Sequence, residues 1–300
     1  MRKALVTGGA GFIGSYLVEK LVNNGYEVIV VDNLSRGTIK NLKSVLKNIT
    51  FVNGNIINNS LMKALIKRSD IVYHLAALSR VYDSIKNPEL CFRDNVFGTE
   101  VIAKLCSNYK KKLIFTSSRE VYGEAIYVPV DEKHPLNPIN PYGLSKFYAE
   151  NVILDYHEKL RLNYVILRLS NVFGKRDKNR VIPIFIEKSL KGEPIIIRGR
   201  NKILDFVFVA DVIDALIKAQ NVSCEVMNIG SGKGIKLTEL AEIVRRLTGS
   251  NSRIIVKKPL RGEVIRYIAD INRAIRLLDW RPKVDLIKGL ECIINNQEAH

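Results

Sequence analysis

The residues MRKALVTGGAGFIG, 1–14, govern how the rest of the chain reads. Arg2 to Thr7 is a short apolar run with strand character, and Gly8, Gly11 and Gly14 follow at GxxGxxG spacing. From Phe12 an apolar helical pattern (Phe12, Ile13, Leu17, Leu21) runs to Gly25, which stands where a helix stop belongs. A strand that feeds a glycine turn and then a helix N-terminus makes an anion site. Unpaired helix N–H groups and the positive dipole end face the anion, and missing side chains let it reach the backbone. Glycines alone would also serve a tight turn with no ligand. The next apolar run, Glu27 to Val31, supplies the discriminating residue. It ends in Asp32, eighteen residues beyond Gly14, where a dinucleotide-binding sheet puts the acid that binds an adenosine ribose. The pattern predicts a dinucleotide cradle.

Working outward, strand-like and helix-like stretches alternate, as in an α/β parallel sheet covered by helices on both faces. A helix is expected from the loop at Gly37 to about Lys47, then a strand at Ile49 to Val52 and a helix at Ser60 to Lys67. The strand Ile71 to Leu75 ends in Ala76-Ala77, and a longer helix should run from Pro88 to Cys106. The strand Lys112 to Phe115 leads to Ser117 and Ser118, and an amphipathic helix runs from Asn140 to about Leu160. After the strand Tyr164 to Leu169 the elements shorten. The glycines 230, 232 and 234 read as a loop opening the helix Leu237 to Leu247. This predicts a Rossmann-type doubly wound sheet over 1–174 and a smaller α/β substrate lobe over 175–300, partly interleaved with it. Ligands of such sheets bind outside the carboxyl ends of the strands.

Composition narrows the class. Three hundred residues, 47% of them hydrophobic, can bury a large core. The four cysteines are scattered, with no metal-ligand spacing, which predicts a reducing, cytoplasmic setting and no metal. No apolar run approaches a membrane span, and no cleavable leader precedes the glycine turn. The net charge of +17 raises nucleic acid as a partner. The basic residues are spread over helices and loops, however, and no aromatic interleaving accompanies them. A basic surface that attracts a charged nucleotide is the better match.

Tyr142 and Lys146 lie four apart, on one face of a helix. A fixed ammonium beside a phenol stabilises phenolate and lowers its pKa from about 10. That makes a base for a sugar or alcohol hydroxyl. Ser118, at the end of a strand, can donate to the same oxygen. A surface Tyr and Lys at ordinary helical spacing would look the same without the glycine turn, the acid and the serines.

With these residues in view, the chain resembles the extended short-chain dehydrogenase/reductases, in particular the nucleotide-sugar epimerases and dehydratases. The resemblance rests on TGGAGFIGS (7–15), VDNLSRG (31–37), LAALSRV (75–81), NVFGT (95–99), TSSREVYG (116–123), NPYGLSK (140–146), RLSNVFG (168–174), DFVFVADV (205–212) and ADINRAIRLLDWRP (269–282). It implies a 4-epimerase using tightly bound NAD. Gly8, Gly11, Phe12, Ile13 and Gly14 would hold the pyrophosphate, and Asp32 and Asn33 the adenosine ribose. Asn55 and Ile56 would flank the adenine, while Ala76, Ala77, Ser79 and Asn95 would line the cofactor path. Tyr142 would be the base, Lys146 its partner and a ribose ligand, Ser118 the holder of the sugar 4-oxygen, and Asn171 a diphosphate contact. Asp32 would repel the extra phosphate of NADP, although Arg36 is near. Members of the family often dimerise through two helices, here those around 88–107 and 140–160.

Several positions depart from the family. Dehydratases carry Thr-Asp-Glu where this chain has Ser118-Arg119-Glu120, and the missing Asp counts against 4,6-dehydration. Glu120 matches a residue used by dehydratases and uronate decarboxylases, and a salt-bridged surface glutamate is the plain alternative. Two arginines of the usual diphosphate clamp are replaced, at Leu204 and Leu260, with Arg261 beside the second. Tyr267 falls where the family limits space beside the sugar C2, which favours glucose and galactose over N-acetylated sugars. The implied substrate is UDP-linked, with UDP-glucose and UDP-galactose the first choice. A UDP-glucuronate decarboxylase, another dehydratase or reductase on this scaffold, and a non-catalytic NAD-binding protein are the alternatives.

Overall fold

The computed structural model describes residues 1–260 and 262–295. Its centre is a seven-stranded sheet whose ladders are all parallel. The strands are β1 (Lys3–Thr7), β2 (Glu27–Asp32), β3 (Ile49–Asn53), β4 (Ile71–His74), β5 (Lys112–Ser118), β6 (Tyr164–Leu169) and, after three short strands, β10 (Glu225–Ile229). Those three are β7 (Asn171–Phe173), β8 (Ile195–Arg198) and β9 (Ile203–Phe208). The order is β10-β6-β5-β4-β1-β2-β3, and the chain reverses direction between β1 and β4. β4, and β6 throughout its length, are buried, as expected of strands covered on both faces. The two faces carry separate apolar clusters, one around Leu17, Val30 and Phe208, the other around Ile29, Phe115 and Ile153.

Helix α1 (Phe12–Asn23) follows β1 directly and stops before Gly25, whose φ of +78° suits glycine. The expected helix to Lys47 does not form. Thr38 N and Asn41 Nδ2 both donate to Ala10 O, at 3.0 and 2.9 Å, which pins this stretch to the glycine turn. Only two single 3₁₀ turns fit, at Ile39–Leu42 and Leu46–Asn48. α2 (Asn59–Lys67) is capped by Asn58, and a short α3 (Val81–Lys86) precedes α4 (Pro88–Phe92). The expected Pro88–Cys106 helix is interrupted by a π-turn at Arg93–Phe97 and then continues as α5 (Gly98–Asn108). The wide turn lies at Asn95, consistent with the habit of such turns to mark functional positions. α6 (Pro141–Leu160) begins at Asn140, whose side chain accepts from Gly143 N at 2.8 Å.

Beyond residue 174 the chain leaves the main sheet and later returns to it as β10. Between these points it builds α7 (Val181–Leu190), β8 and β9; after β10, β11 (Gly234–Lys236) joins the ladder β11-β9-β7 and β12 (Ile254–Lys257) pairs with β8. The glycine cluster is more than a loop. Gly234 starts β11, while Ser231 N and Gly232 N donate to the buried Asp205 carboxylate at 2.7 and 3.0 Å. That nest of N–H groups is filled by an internal anion.

Candidate active site

The glycine turn at the end of β1 is built for close approach. Gly8 has φ +70°, and a Cβ there would lie 2.7 Å from Ala76 N. A Cβ on Gly14 would meet Gly8 O at 2.2 Å, so α1 packs on the turn only with glycine present. Gly11 is the N-cap of α1, and no side chain caps that end. The first-turn N–H groups, at Phe12 and Ile13, are therefore left for a ligand. Asp32 ends β2, and its carboxylate accepts from Ala10 N at 3.0 Å and Leu34 N at 2.8 Å. Burial raises its pKa, and those two donors oppose the rise. An uncapped helix N-terminus beside this carboxylate fits a pyrophosphate and an adenosine ribose.

The other expected cofactor residues divide. Asn33 is exposed and its Oδ1 is engaged by Ser35 N and Oγ, in a turn of its own. Asn55 likewise accepts from Ile57 N at 3.1 Å, while Ile56 is buried beneath Gly98. Ala76, Ala77 and Ser79 are half-buried along the loop after β4. Asn95 is buried behind that loop. It accepts from Leu78 N at 2.8 Å and donates to Leu78 O and Ser145 Oγ, so it fixes the loop to α6.

Ser118, at the end of β5, and Tyr142 and Lys146, in the first turns of α6, are all buried. The Ser118 side chain lies near enough to the Tyr142 phenol to favour its ionised form. Lys146 Nζ donates to Thr116 O at 2.8 Å and lies 4.5 Å from the centre of the Phe115 ring. The expected electrostatics are corrected here. Burial is the largest influence on Tyr142 and raises its pKa, against the lowering expected, while Ser118 and the Arg180 guanidinium oppose the rise. Burial also lowers Lys146 to about 8.

That shift has a testable sign. Between pH 8 and 10.5 the unfolded chain holds a proton on this lysine that the fold releases, so stability rises with pH there. Lys146→Met in the NAD-free protein should therefore stabilise it by about 2–3 kcal/mol at pH 7. The gain should shrink as the pH approaches 10.5, the ordinary lysine value. Urea melts at several pH values check this, and a gain independent of pH would speak against it.

On the substrate side, Glu120 is buried, not a surface glutamate. Arg119 Nη2 pairs with its Oε1 at 2.8 Å, and Asn140 Nδ2 donates to its Oε2 at 2.8 Å. Arg119 also reaches Asn171 Oδ1 at 3.3 Å, and Asn171 Nδ2 donates to Asp205 O at 2.8 Å. Tyr267 is fully buried, stacked on Tyr122 with centroids 6.1 Å apart and with Arg119 5.6 Å from its ring centre. It thus forms the wall behind Arg119. Leu204 is buried in the core, Leu260 is exposed, and Arg261 lies outside the described residues.

Sequence reasoning missed three features. Arg36 pairs with Asp83 at 3.5 Å, Arg80 donates to Lys178 O at 2.7 Å, and Arg180 lies 3.5 Å from Ser79 Oγ, so three loops are knitted beside the cofactor cleft. Arg168 grips Glu150 beneath α6, and Glu150 lies one further turn along from Tyr142 and Lys146. Lys202 is buried against Glu263 at 3.3 Å. The four-residue step from Lys146 to Glu150 was the available signal for the second; the others depend on contacts across the chain.

Residues 4–230 match the NAD dependent epimerase/dehydratase family. A protein of Methanocaldococcus jannaschii, provisionally described as a UDP-glucose 4-epimerase, is 42% identical over 97% of both chains. UDP-glucuronic acid decarboxylase 1 of Arabidopsis thaliana is 30% identical over 98% of this chain and 69% of its own. The crystal structure of the Thermotoga maritima UDP-glucose 4-epimerase with UDP-glucose superposes with a TM-score of 0.93 at 36% identity, covering 98% of this chain and 97% of that one. A buried serine–tyrosine–lysine set beside a dinucleotide cradle defines an enzyme of the short-chain dehydrogenase/reductase type. The chain belongs to the NAD-dependent epimerase/dehydratase family.

Proposed function

We propose that this protein is a nucleotide-sugar 4-epimerase that interconverts UDP-glucose and UDP-galactose on tightly held NAD. The observation that carries the reading is the joint burial of Ser118, Tyr142 and Lys146, with the Ser118 side chain favouring the phenolate, next to a Glu120 already bound by Arg119 and Asn140. When bound, NAD supplies the acceptor for the C4 hydrogen and later the source of its return. Tyr142 takes the 4-hydroxyl proton and holds it through the 4-keto stage. Ser118 donates to the same oxygen and bridges it to the phenol. Lys146, anchored on Thr116 O, is placed to hold a ribose hydroxyl and to keep positive charge near the base. The sugar turns between the two stages, and Tyr142 gives the proton back to the other epimer.

The test is proton NMR of purified protein given UDP-glucose or UDP-galactose without added NAD. Both should converge on one mixture with no net change in cofactor; failure to interconvert them overturns the reading. The second reading, decarboxylation of UDP-glucuronate, draws on Glu120 in the pocket and on the decarboxylase relatives. Release of carbon dioxide from UDP-glucuronate in the same assay would favour it.

Tyr267 supports a non-acetylated sugar. Because Tyr122 and Arg119 brace its ring, it cannot swing aside for an acetamido group at C2. Tyr267→Ser should raise kcat/KM for UDP-N-acetylglucosamine about tenfold or more over the parent. An unaltered substrate range would place the C2 boundary elsewhere.

The enzyme is proposed to act as a homodimer in the cytoplasm. Leu90, Phe97 and Tyr148 are exposed on the helical faces of 88–108 and 141–160, and the four cysteines are free thiols. Among the described residues no helix is long and apolar enough to cross a membrane.

A further inference from the structure

His74 is a buried titratable group that the proposed chemistry does not use, and its bonds reach both walls of the dinucleotide crevice. It ends β4, and its register partner Thr7 ends β1. The chain reverses direction between these neighbouring strands, so the loops that follow them part and leave the crevice between them. Both side chains are fully buried. Thr7 Oγ1 lies 2.7 Å from His74 Nδ1, and Thr99 Oγ1, on α5, lies 3.0 Å from Nε2.

The hydrogens of this cluster fit in one arrangement. The Thr99 hydroxyl donates to Asn95 O at 2.6 Å, so its oxygen can only accept at the ring, and Nε2 carries the proton. Thr7 Oγ1 accepts from Ala76 N and shares Leu75 N with Thr7 O, all at 3.2 Å. Its lone pairs are then used, and its hydrogen points at Nδ1, which must be bare. Neither the other neutral tautomer nor an imidazolium satisfies all of these partners. A positive ring would also sit near Lys146, since the Phe115 ring centre is 5.4 Å from the His74 ring and 4.5 Å from Lys146 Nζ.

The bonds on either side of the ring lead to the surfaces that face the cofactor. Ala76 N, turned onto the Thr7 hydroxyl, is the group against which Gly8 packs, 2.7 Å from where a Cβ would stand. On the other side Thr99 holds Asn95 O, and the Asn95 side chain holds Leu78 N and O. One imidazole thus joins the glycine turn to both ends of the loop after β4.

We propose that His74, fixed as the neutral Nε2–H tautomer, is a positioning residue for NAD: through Thr7 and Thr99 it sets the spacing between the glycine turn and the loop that carries Ala76, Ala77 and Ser79. It touches no substrate and moves no proton in the reaction. The inference rests on the reading above in taking NAD to be held through turnover.

Two measurements test it. The first is proton–nitrogen correlation NMR of the NAD-loaded protein labelled at its four histidines. The His74 signal is identified by its loss in His74→Gln, or by replacing the other three in turn if that variant does not fold. It should show the Nε2–H pattern unchanged over about pH 5 to 9, the range in which an ordinary histidine titrates. An Nδ1–H pattern, or titration to imidazolium in that range, overturns the proposal. The second is equilibrium titration of the full chain, freed of NAD, with NAD. Thr7→Val keeps the shape and loses the hydroxyl, and should weaken NAD about tenfold or more. Thr7→Ser keeps the hydroxyl and loses the methyl, and should stay within about threefold of the parent. A packing role gives the opposite order; that order, or equal affinity in all three proteins, overturns the proposal. Urea midpoints report folding, and Thr99→Val against Thr99→Ser makes the same comparison at the other nitrogen if Thr7→Val does not fold. If the tautomer and the order hold while no sugar is epimerised, the role of His74 stands and the epimerase reading falls. Epimerisation with the packing order gives the reverse.

Discussion

Tyr142→Phe should lower kcat about a thousandfold while leaving bound NAD and UDP affinity near the parent values. The magnitude follows from what the phenol does. A positioned acid–base group contributes on the order of 10²–10⁴ in rate, and among the described residues Glu120 and His74 are both committed elsewhere. Both Glu120 oxygens are engaged, by Arg119 and Asn140. His74 is fully buried between Thr7 and Thr99, and burial holds it well below the ordinary histidine range, so it stays neutral and out of reach. Phenylalanine fills nearly the same volume, so the fold should be unaffected. The pH dependence adds a sharper check. Burial raises the Tyr142 pKa in the protein alone, with Ser118 and Arg180 opposing. Ser118→Ala should therefore move the activity limb on the acid side toward higher pH, since it removes one of the two groups that favour phenolate. Rates measured by NMR or a coupled assay across pH 6–10 check both variants, and unchanged turnover in Tyr142→Phe would remove the mechanism.

The parts of this site that could be read in advance are those whose neighbours lie close in sequence. The glycine turn is one: Gly8, Gly14 and Asp32 are joined through Ala10 within a single βαβ unit. Tyr142 and Lys146 are another, because one helical turn brings them together. What escaped reading depends on distant partners. Whether Glu120 is free or neutralised turns on Arg119 folding back as β5 gives way to a 3₁₀ turn, and on Asn140 arriving from α6. Asn95 looked like a cofactor contact, yet its amide is consumed by Leu78 and Ser145. The helix expected before Lys47 had suitable residues and lost to the bonds that Thr38 N and Asn41 Nδ2 donate to Ala10 O. In each case a local preference was overridden by polar contacts that only the assembled fold provides.

The same dependence on polar contacts sets the largest expected loss of stability, at Glu150. Helix α6 buries, beside the apolar Ala149 and Ile153, a row of polar side chains. Tyr142, Ser145, Lys146 and Glu150 are all buried. Glu150 accepts from Arg168 Nε at 3.0 Å and Nη2 at 2.6 Å, and from the Ser117 hydroxyl. Arg168 Nη1 donates to Tyr122 Oη at 2.9 Å, and that hydroxyl donates to Asn228 Oδ1 at 2.7 Å. The network thus ties β5, β6 and β10 to the helix that carries the base. Glu150→Ala leaves the Arg168 guanidinium buried with one neutral partner, and should cost about 3–5 kcal/mol. Glu150→Leu combined with Arg168→Met should recover much of that, because replacing both charges removes the unpaired one. Recovery of stability need not bring recovery of rate. In the double variant Ser117 loses its acceptor, and α6 is held to β5 chiefly by Lys146 on Thr116 O. Its kcat should therefore stay below the parent's even where its urea midpoint does not, since the approach of Ser118 to Tyr142 depends on where β5 and α6 meet. Equal loss in the single and double variants would show that the pair adds no coupling energy, and a double variant with parental kcat would show that the row of polar contacts steadies the fold without positioning Tyr142.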